Sequence, residues 1–156
     1  MSARQLSLLF FVILLLSVVA CADKGDTPVD SLQPGSVPST YAYKAYNAKG
    51  ELAVNGTMTL SVADLTSVTG TWSCDAVLPS EKVGPQVGTG GLTGTIQKSS
   101  ISINLNPGWA DNNVFLQGTV SSDRITGRWM WSTLIGPTAE GTFEATLVFT
   151  TQKTYN

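Results

Sequence analysis

The 156-residue chain contains no histidine, only two cysteines and few charged residues, which make up 13% of the total. Histidine is the commonest general base and metal ligand near neutral pH. Its absence excludes Ser-His-Asp and Cys-His catalytic arrangements and argues against a zinc site. The carboxylates are scattered along the chain, and no pair has a spacing typical of concerted acid and base catalysis. We therefore predict a protein that is not an enzyme and that has no catalytic residues, metal or cofactor.

The chain also lacks a large excess of positive or negative charge. Nine basic residues stand against eleven acidic ones, so the formal net charge is −2. Nucleic-acid binding calls for a clustered basic surface, and the chain has no such cluster. The sequence predicts no nucleic-acid partner.

The amino-terminal segment has the layout of a secretory signal peptide. Arg4 precedes an apolar run from Leu6 to Leu16, which is followed by small residues and Cys21. A single transmembrane anchor is the competing interpretation, but a bilayer span needs about 20 apolar residues. The stretch Leu6–Ala20 is shorter and already contains two serines.

The end of this segment, Val18-Val19-Ala20-Cys21, resembles the lipobox of bacterial lipoproteins. The resemblance implies cleavage before Cys21, lipid on its sulfur, and a membrane as the partner held through that lipid. It also implies a place in the bacterial cell envelope. Ala22 stands where some bacteria have the aspartate of inner-membrane retention, so we expect the outer membrane. If Cys21 carries lipid, Cys74 is alone and an intramolecular disulfide is excluded.

Residue composition divides the chain into three parts. Residues 1–20 are the predicted signal peptide, and residues 21–38 form a predicted flexible tether rich in proline, glycine and small polar residues. Residues 39–156 are predicted to form one barrel domain. That length is sufficient for a hydrophobic core of its own.

From Thr40 onward, apolar and polar residues alternate with period two, which is typical of half-buried antiparallel strands. This pattern predicts eight strands, near Thr40–Asn47, Glu51–Val62, Ser67–Leu78, Leu92–Lys98, Ile101–Leu105, Val114–Val120, Arg124–Thr133 and Thr142–Thr150. Most connections between them are short, which favours pairing of sequential neighbours in a meander.

An apolar residue, any residue and then glycine recur five times, ending at Gly56, Gly70, Gly94, Gly118 and Gly127. Each glycine falls on the apolar face of its strand. Glycine weakens a strand, so its repetition indicates a geometric cause such as sharp coiling in a small barrel. We predict an all-β, eight-stranded antiparallel up-and-down barrel, with a β-sandwich as the alternative. A barrel spanning the outer membrane is disfavoured because several strands are too short and no aromatic girdles are evident.

The segments Leu92-Thr93-Gly94-Thr95 and Gly70-Thr71-Trp72 are similar to stretches of the calycin barrels, the lipocalins and avidins. The resemblance implies the same eight-stranded architecture. The resemblance does not imply a ligand, since the polar residues that hold biotin in avidins have no counterpart among these segments.

Two groups of residues are candidates for ligand binding. Trp129 and Trp131 are predicted to project inward, where they either fill the core or line a pocket for an apolar ligand. In the loop that contains Trp109, Asp111, Asn112 and Asn113, an aromatic ring stands beside amide and carboxylate groups. That combination suits a sugar ring, although Asn and Asp are also ordinary turn formers.

The leading hypothesis is a membrane-anchored binding module for a small apolar ligand or glycan. The alternative is a structural or assembly protein of the cell envelope that has an envelope protein as its partner and no small ligand. A hydrolase comes third and would require a cleft with two close carboxylates.

Overall fold

The computed structural model describes residues 32–79 and 82–148. They form eight strands: β1 Ser39–Asn47, β2 Leu52–Val62, β3 Ser67–Ala76, β4 Gly88–Gln97, β5 Ser100–Asn104, β6 Asn113–Val120, β7 Arg124–Thr133 and β8 Gly136–Leu147. Each strand pairs antiparallel with the next, and β8 pairs back onto β1 to close the barrel. The predicted barrel is confirmed, and the β-sandwich alternative is wrong.

Two strands begin earlier than the sequence pattern predicted. β4 starts at Gly88 instead of Leu92, and β8 starts at Gly136 instead of Thr142. Both additional stretches are rich in glycine, proline and threonine, so apolar alternation does not mark them. Backbone pairing with β3 and β7 extends them nevertheless.

The recurring glycines lie where neighbouring strands approach closely. A Cβ added at Gly56, Gly70, Gly94, Gly118 or Gly127 would lie 1.9–2.5 Å from a carbonyl oxygen of the adjacent strand. No side chain can be accommodated at such distances. The predicted geometric cause of the repeat is therefore present in the fold.

The barrel interior is filled by apolar and aromatic side chains. The largest that are fully buried include Trp129, Tyr41, Tyr43 and Met58. Burial of apolar surface contributes about 25 cal/mol per Å2, so this interior provides the main stabilisation of the fold.

The connections lie at two ends because successive strands run in opposite directions. Residues 48–51, 77–79, 82–87, 105–112 and 134–135 lie at one end, which we call the mouth. Residues 63–66, 98–99 and 121–123 lie at the other end, the base. The long connections are both at the mouth, which therefore has most of the irregular backbone.

Residues before β1 pack at the base. Leu32 is buried in the core cluster, and the Gly35 amide donates to the Val62 carbonyl at 3.1 Å. Residues 32–38 belong to the predicted tether, so part of it contacts the barrel. The predicted signal peptide, Cys21 and residues 149–156 lie outside the described residues, and the predicted domain bounds stay predictions. No described helix is long and apolar enough to cross a membrane.

Candidate functional site at the barrel mouth

The connection between β3 and β4 folds into the mouth. Val83 and Gln86 in this connection are both 0% exposed. The Asn106 side-chain amide donates to the Pro85 carbonyl at 3.2 Å and attaches the segment to the β5–β6 connection. Residues 82–87, which we call the plug, thus occupy the mouth of the barrel.

Gln86 is a polar side chain among apolar neighbours, and both ends of its amide are hydrogen-bonded. Its Oε1 accepts from the Tyr43 hydroxyl at 3.0 Å, and its Nε2 donates to the Val83 carbonyl at 2.8 Å. Burial, with a smaller contribution from the nearby Cys74 thiol, raises the pKa of the Tyr43 hydroxyl well above its usual range. Tyr43 is consequently a neutral donor at any physiological pH.

Three tryptophans place their indole N–H groups on acceptors near the mouth. Trp72 donates to the Leu105 carbonyl at 2.7 Å, and Trp129 donates to the Tyr46 carbonyl at 2.8 Å. Trp131 donates to the Asn112 side-chain oxygen. Because each donor is satisfied, these rings are held in fixed orientations.

The strand register shifts at two places near the mouth. One lies between Ala45 and Tyr46 in the β1–β2 pairing, and the other lies between Trp131 and Ser132 in the β7–β8 pairing. Such irregularities redirect side chains and are common beside functional sites. The first shift lies beside the Tyr46 carbonyl, which accepts from Trp129. The second lies beside Trp131, whose ring lies against Gly84 of the plug.

The loop from Asn106 to Asn113 contains the candidates predicted from the sequence. Trp109 is 58% exposed and projects its ring to solvent, while its carbonyl accepts from the Asn113 amide at 3.1 Å. Asp111 Oδ1 accepts from the backbone N–H groups of Asn112 and Leu134, which joins this loop to the β7–β8 turn. Asp111 therefore holds the rim together.

Among the predicted site residues, the structure brings Trp131 and Asn112 into direct contact through their hydrogen bond. Trp129 is buried deeper, against the carbonyl of Tyr46, and Trp109 lies on the outer rim. The predicted residues thus share one end of the barrel but do not line one surface.

Asn113 is the most unusual of these residues. Only 9% of it is exposed, and its side-chain Oδ1 is buried without a hydrogen-bond partner among the described residues. A buried acceptor left unpaired costs about 1–3 kcal/mol. Such a group is a candidate point of contact for a ligand donor.

Sequence reasoning did not identify Tyr43, Val83 or Gln86 as site residues, whereas Asn106 belongs to the loop around Trp109 that it did select. Tyr43 had a weak signal, since it lies on the inward face of its strand with Tyr41. Gln86 had none, because it lies in a connection without periodicity whose burial depends on contacts with distant parts of the chain.

The described residues contain neither a metal-binding cluster nor an activated thiol. No group of three or more Cys, Asp and Glu side chains within 32–79 and 82–148 is placed to hold a metal ion. Burial, together with the charge of Asp75, raises the pKa of the Cys74 thiol to about 12. At neutral pH that thiol is protonated and a poor nucleophile.

Two open depressions lie on the outer wall of the barrel. One of about 420 Å3 has Thr57, Thr71 and Ser73 in its lining, and one of about 350 Å3 has Thr95 and Ser102. Both are open to solvent, and neither lining includes the buried polar residues Gln86, Asn106 and Asn113. The mouth, which concentrates the buried polar residues, is the stronger candidate.

Comparison with known proteins supports the architecture. The chain is similar to rhizavidin in the crystal structure of its biotin complex, with 21% identity and a TM-score of 0.51 over 78% of this chain and 99% of rhizavidin. It is also similar to the apo form of intact afifavidin, with 22% identity and a TM-score of 0.50 over 76% of this chain and 85% of afifavidin. No protein-family model and no curated protein matches the chain. The fold is an avidin-like barrel, as the calycin resemblance predicted.

Proposed function

We propose that the protein is a lipid-anchored, non-enzymatic binding barrel of the bacterial envelope that holds a small ligand at its mouth. The observation that carries the proposal is the buried polar cluster there. Gln86, Asn106 and Asn113 are the buried polar side chains of the described residues, and all three lie at this end. A binding pocket typically has this composition, with apolar walls and a few convergent polar groups.

A purely structural barrel has no need of such a cluster. Buried polar groups cost free energy unless they are paired, and apolar residues of similar size would fill the same space without that cost. The unpaired Asn113 Oδ1 still bears that cost. A ligand donor that binds this oxygen would offset that cost.

The similarity to rhizavidin, which is in complex with biotin, supports a small ligand and makes biotin the first probe. The buried polar side chains at the mouth, Gln86, Asn106 and Asn113, are neutral donors and acceptors, and aromatic rings lie beside them. They suit a neutral ligand, because an ion would lose its hydration without gaining a counter-charge.

The anchor is proposed from the lipobox-like sequence at Cys21. Residues 32–38 pack at the base, so the chain leaves the barrel at the end opposite the mouth. A lipid on Cys21 would hold the base towards the membrane and leave the mouth facing the aqueous side. Two or more acyl chains would make that attachment stable.

Tryptophan fluorescence tests the ligand proposal. The protein is titrated with biotin, then with envelope glycans and small hydrophobic compounds, and we expect saturable quenching or a spectral shift with one class. Calorimetry with the same compounds is the independent measurement, because its signal does not depend on the tryptophan rings. Absence of binding by both methods with every class would contradict the proposal.

One observation favours a second function, assembly with another envelope protein. Leu134 and Ile135, at the β7–β8 turn, are 85% and 97% exposed, and the exposed Trp109 lies on the same rim. Apolar side chains at a hairpin tip are typical of contact surfaces. Crosslinking in cells, with Leu134→Ser and Ile135→Ser together, tests this function: the double variant should lose a specific crosslinked partner.

A further inference from the structure

The exposed large apolar side chains within residues 32–79 and 82–148 lie at the two ends of the barrel and not on its wall. Those at the mouth are Val77, Trp109, Leu134 and Ile135. Those at the base are Val37, Leu65 and Val148, which are 75%, 84% and 46% exposed. Single exposed apolar residues need no explanation, whereas a group of them at one end indicates a contact surface. We call the three at the base the base patch.

The base patch comes from neighbouring parts of the barrel. The Gly35 amide donates to the Val62 carbonyl at 3.1 Å, which holds the segment before β1 against the strand end that leads into the β2–β3 turn. The Val148 amide donates to the Thr40 carbonyl at 2.8 Å, so the end of β8 lies beside the start of β1. The three exposed side chains thus lie around the seam formed by β8, β1 and β2.

The turn that presents Leu65 is held in place by its own hydrogen bonds. The Asp64 carboxylate accepts from the Thr66 and Ser67 backbone N–H groups at 2.8 and 2.6 Å, and from the Ser67 hydroxyl at 2.8 Å. The turn is therefore ordered before any partner binds. An ordered turn loses less conformational entropy when it makes a contact.

Charges at the base are balanced. Asp64 and Asp123 stand against Lys98 and Arg124, and residues 32–38 contain no charged side chain. A surface without net charge is neither repelled nor strongly attracted by anionic lipid headgroups. Contact through the base patch would then depend on the burial of apolar area.

The length of chain before the described residues indicates what covers the base patch. Ten residues separate Cys21 from Leu32, which is buried at the base. A chain of this length spans at most about 40 Å, and a flexible one about 17–20 Å on average. The mouth lies about 25 Å farther away, the height of a tilted strand of ten residues. A lipid on Cys21 would therefore keep the base, and not the mouth, within reach of the bilayer.

We infer that the base patch docks on the bilayer that holds the lipid on Cys21, with Val37 and Leu65 entering the boundary between headgroups and acyl chains. This inference rests on the anchor in the proposed function. Attachment at Cys21 makes the second contact intramolecular, with an effective concentration in the millimolar range, so a small apolar patch is sufficient. The barrel then stands on its base with the mouth directed away from the membrane.

The experiment places a small fluorophore at each end of the lipid-modified full chain in phosphatidylcholine–phosphatidylglycerol vesicles. Leu65→Cys and Leu134→Cys, each labelled with bimane, form a matched pair because these side chains are 84% and 85% exposed. Cys74 is buried, and the wild type verifies that it takes up no label. Lipid with a doxyl group near the headgroup should remove about half of the emission at position 65, since interfacial side chains lie 5–10 Å deep. It should leave the emission at position 134 unchanged.

A second substitution tests whether the patch acts as a unit. Val37→Ser in the labelled Leu65→Cys protein should lower the ratio of docked to undocked molecules about tenfold, which corresponds to about 1.4 kcal/mol. Quenching at position 65 should decrease accordingly. Val77→Ser is the matched control, because it removes an exposed valine at the mouth and should leave that quenching unchanged.

The alternatives give different results. Protection of position 65 from aqueous iodide without quenching by the doxyl lipid would overturn the inference, and would indicate that residues 149–156 or a second copy cover the patch. Quenching at position 134 in place of position 65 would overturn it in favour of the mouth. Both results leave the anchor standing, whereas a wild type that carries no fatty acid would overturn the anchor and the docking together.

Discussion

Gly84 lies against the indole ring of Trp131, so closely that a Cβ on Gly84 would come within 2.6 Å of two ring atoms. This contact joins the β3–β4 connection to the end of β7, between residues 47 positions apart in the chain. Space for the plug in the mouth thus depends on a residue without a side chain. Such a dependence can be tested by substitution.

Gly84→Ala should destabilise the plug, because the added methyl group overlaps the ring of Trp131 and the backbone has a positive φ. Overpacking of this kind costs about 1–3 kcal/mol. We expect a lower free energy of unfolding in urea and a red-shifted Trp emission. Gly88→Ala is the matched control, since Gly88 also has a positive φ but has no atom within 4 Å of the new Cβ. Equal effects of the two substitutions would contradict the contact.

Gly94→Ala should destabilise the barrel wall strongly. Its Cβ would lie 2.2 Å from the Ser102 carbonyl oxygen, so β4 and β5 would have to separate. We expect a loss of about 3 kcal/mol or a failure to fold, towards the upper end of the range for overpacked sites. Gly91→Ala, on the same strand, meets its nearest atom at 3.9 Å and should be nearly neutral. Thermal unfolding of both variants distinguishes local crowding from a general intolerance of side chains in β4.

Acid should weaken the β2–β3 turn through Asp64. The Thr66 and Ser67 backbone N–H groups donate to the Asp64 carboxylate and lower its pKa from 3.8 to about 2. A lowered pKa in the folded state means that the stabilisation is fully present above pH 3.8 and is lost as the pH falls through about 2. Melting temperature measured from pH 5 to pH 2 should therefore fall less in Asp64→Asn than in the wild type. An equal fall in melting temperature in the wild type and Asp64→Asn would contradict a stabilising role of the Asp64 carboxylate.

Cys74 should resist alkylation in the folded protein. Its thiol is buried, and its pKa of about 12 leaves almost no thiolate at pH 8. Treatment with iodoacetamide followed by peptide mass mapping should find the Cys74 peptide unmodified in buffer and modified in guanidinium chloride. Rapid modification in buffer would show that this part of the wall opens.

Cys21→Ser should release the protein from the membrane fraction if the lipobox-like ending is functional. The wild type should incorporate a labelled fatty acid, and the variant should not. Ala22→Ser keeps the cysteine and serves as the control, because it should stay in the membrane fraction. Membrane retention of Cys21→Ser with no fatty-acid label on the wild type would favour an uncleaved apolar anchor.

The architecture could be predicted because its determinants are local in sequence. Period-two alternation located most strands, and the inward glycines indicated tight coiling before any contact was known. The starts of β4 and β8 could not be found in this way. Their pairing is imposed by the neighbouring strands and not by their own apolar pattern.

The site was harder to predict because its key contacts are non-local. Trp131 and the tryptophan loop could be selected by residue type, but the bond between Trp131 and Asn112 depends on the positions of two separate connections. Gln86 meets Tyr43 only because residues 82–87 turn inward. No periodicity within the loop indicates that path, so its chemistry is evident only in the folded structure.

The pairing of β1 with β8 has a consequence for how the chain folds. Tyr41 lies opposite Leu147, so the last strand hydrogen-bonds to the first. Loss of β8 would leave unpaired backbone on both β1 and β7. Exposed strand edges of this kind pair with other chains. A chain that is still being synthesised would therefore stay aggregation-prone until its last strand is available. The barrel cannot close without β8, so a carboxy-terminal truncation that removes this strand should yield aggregates and not a smaller barrel.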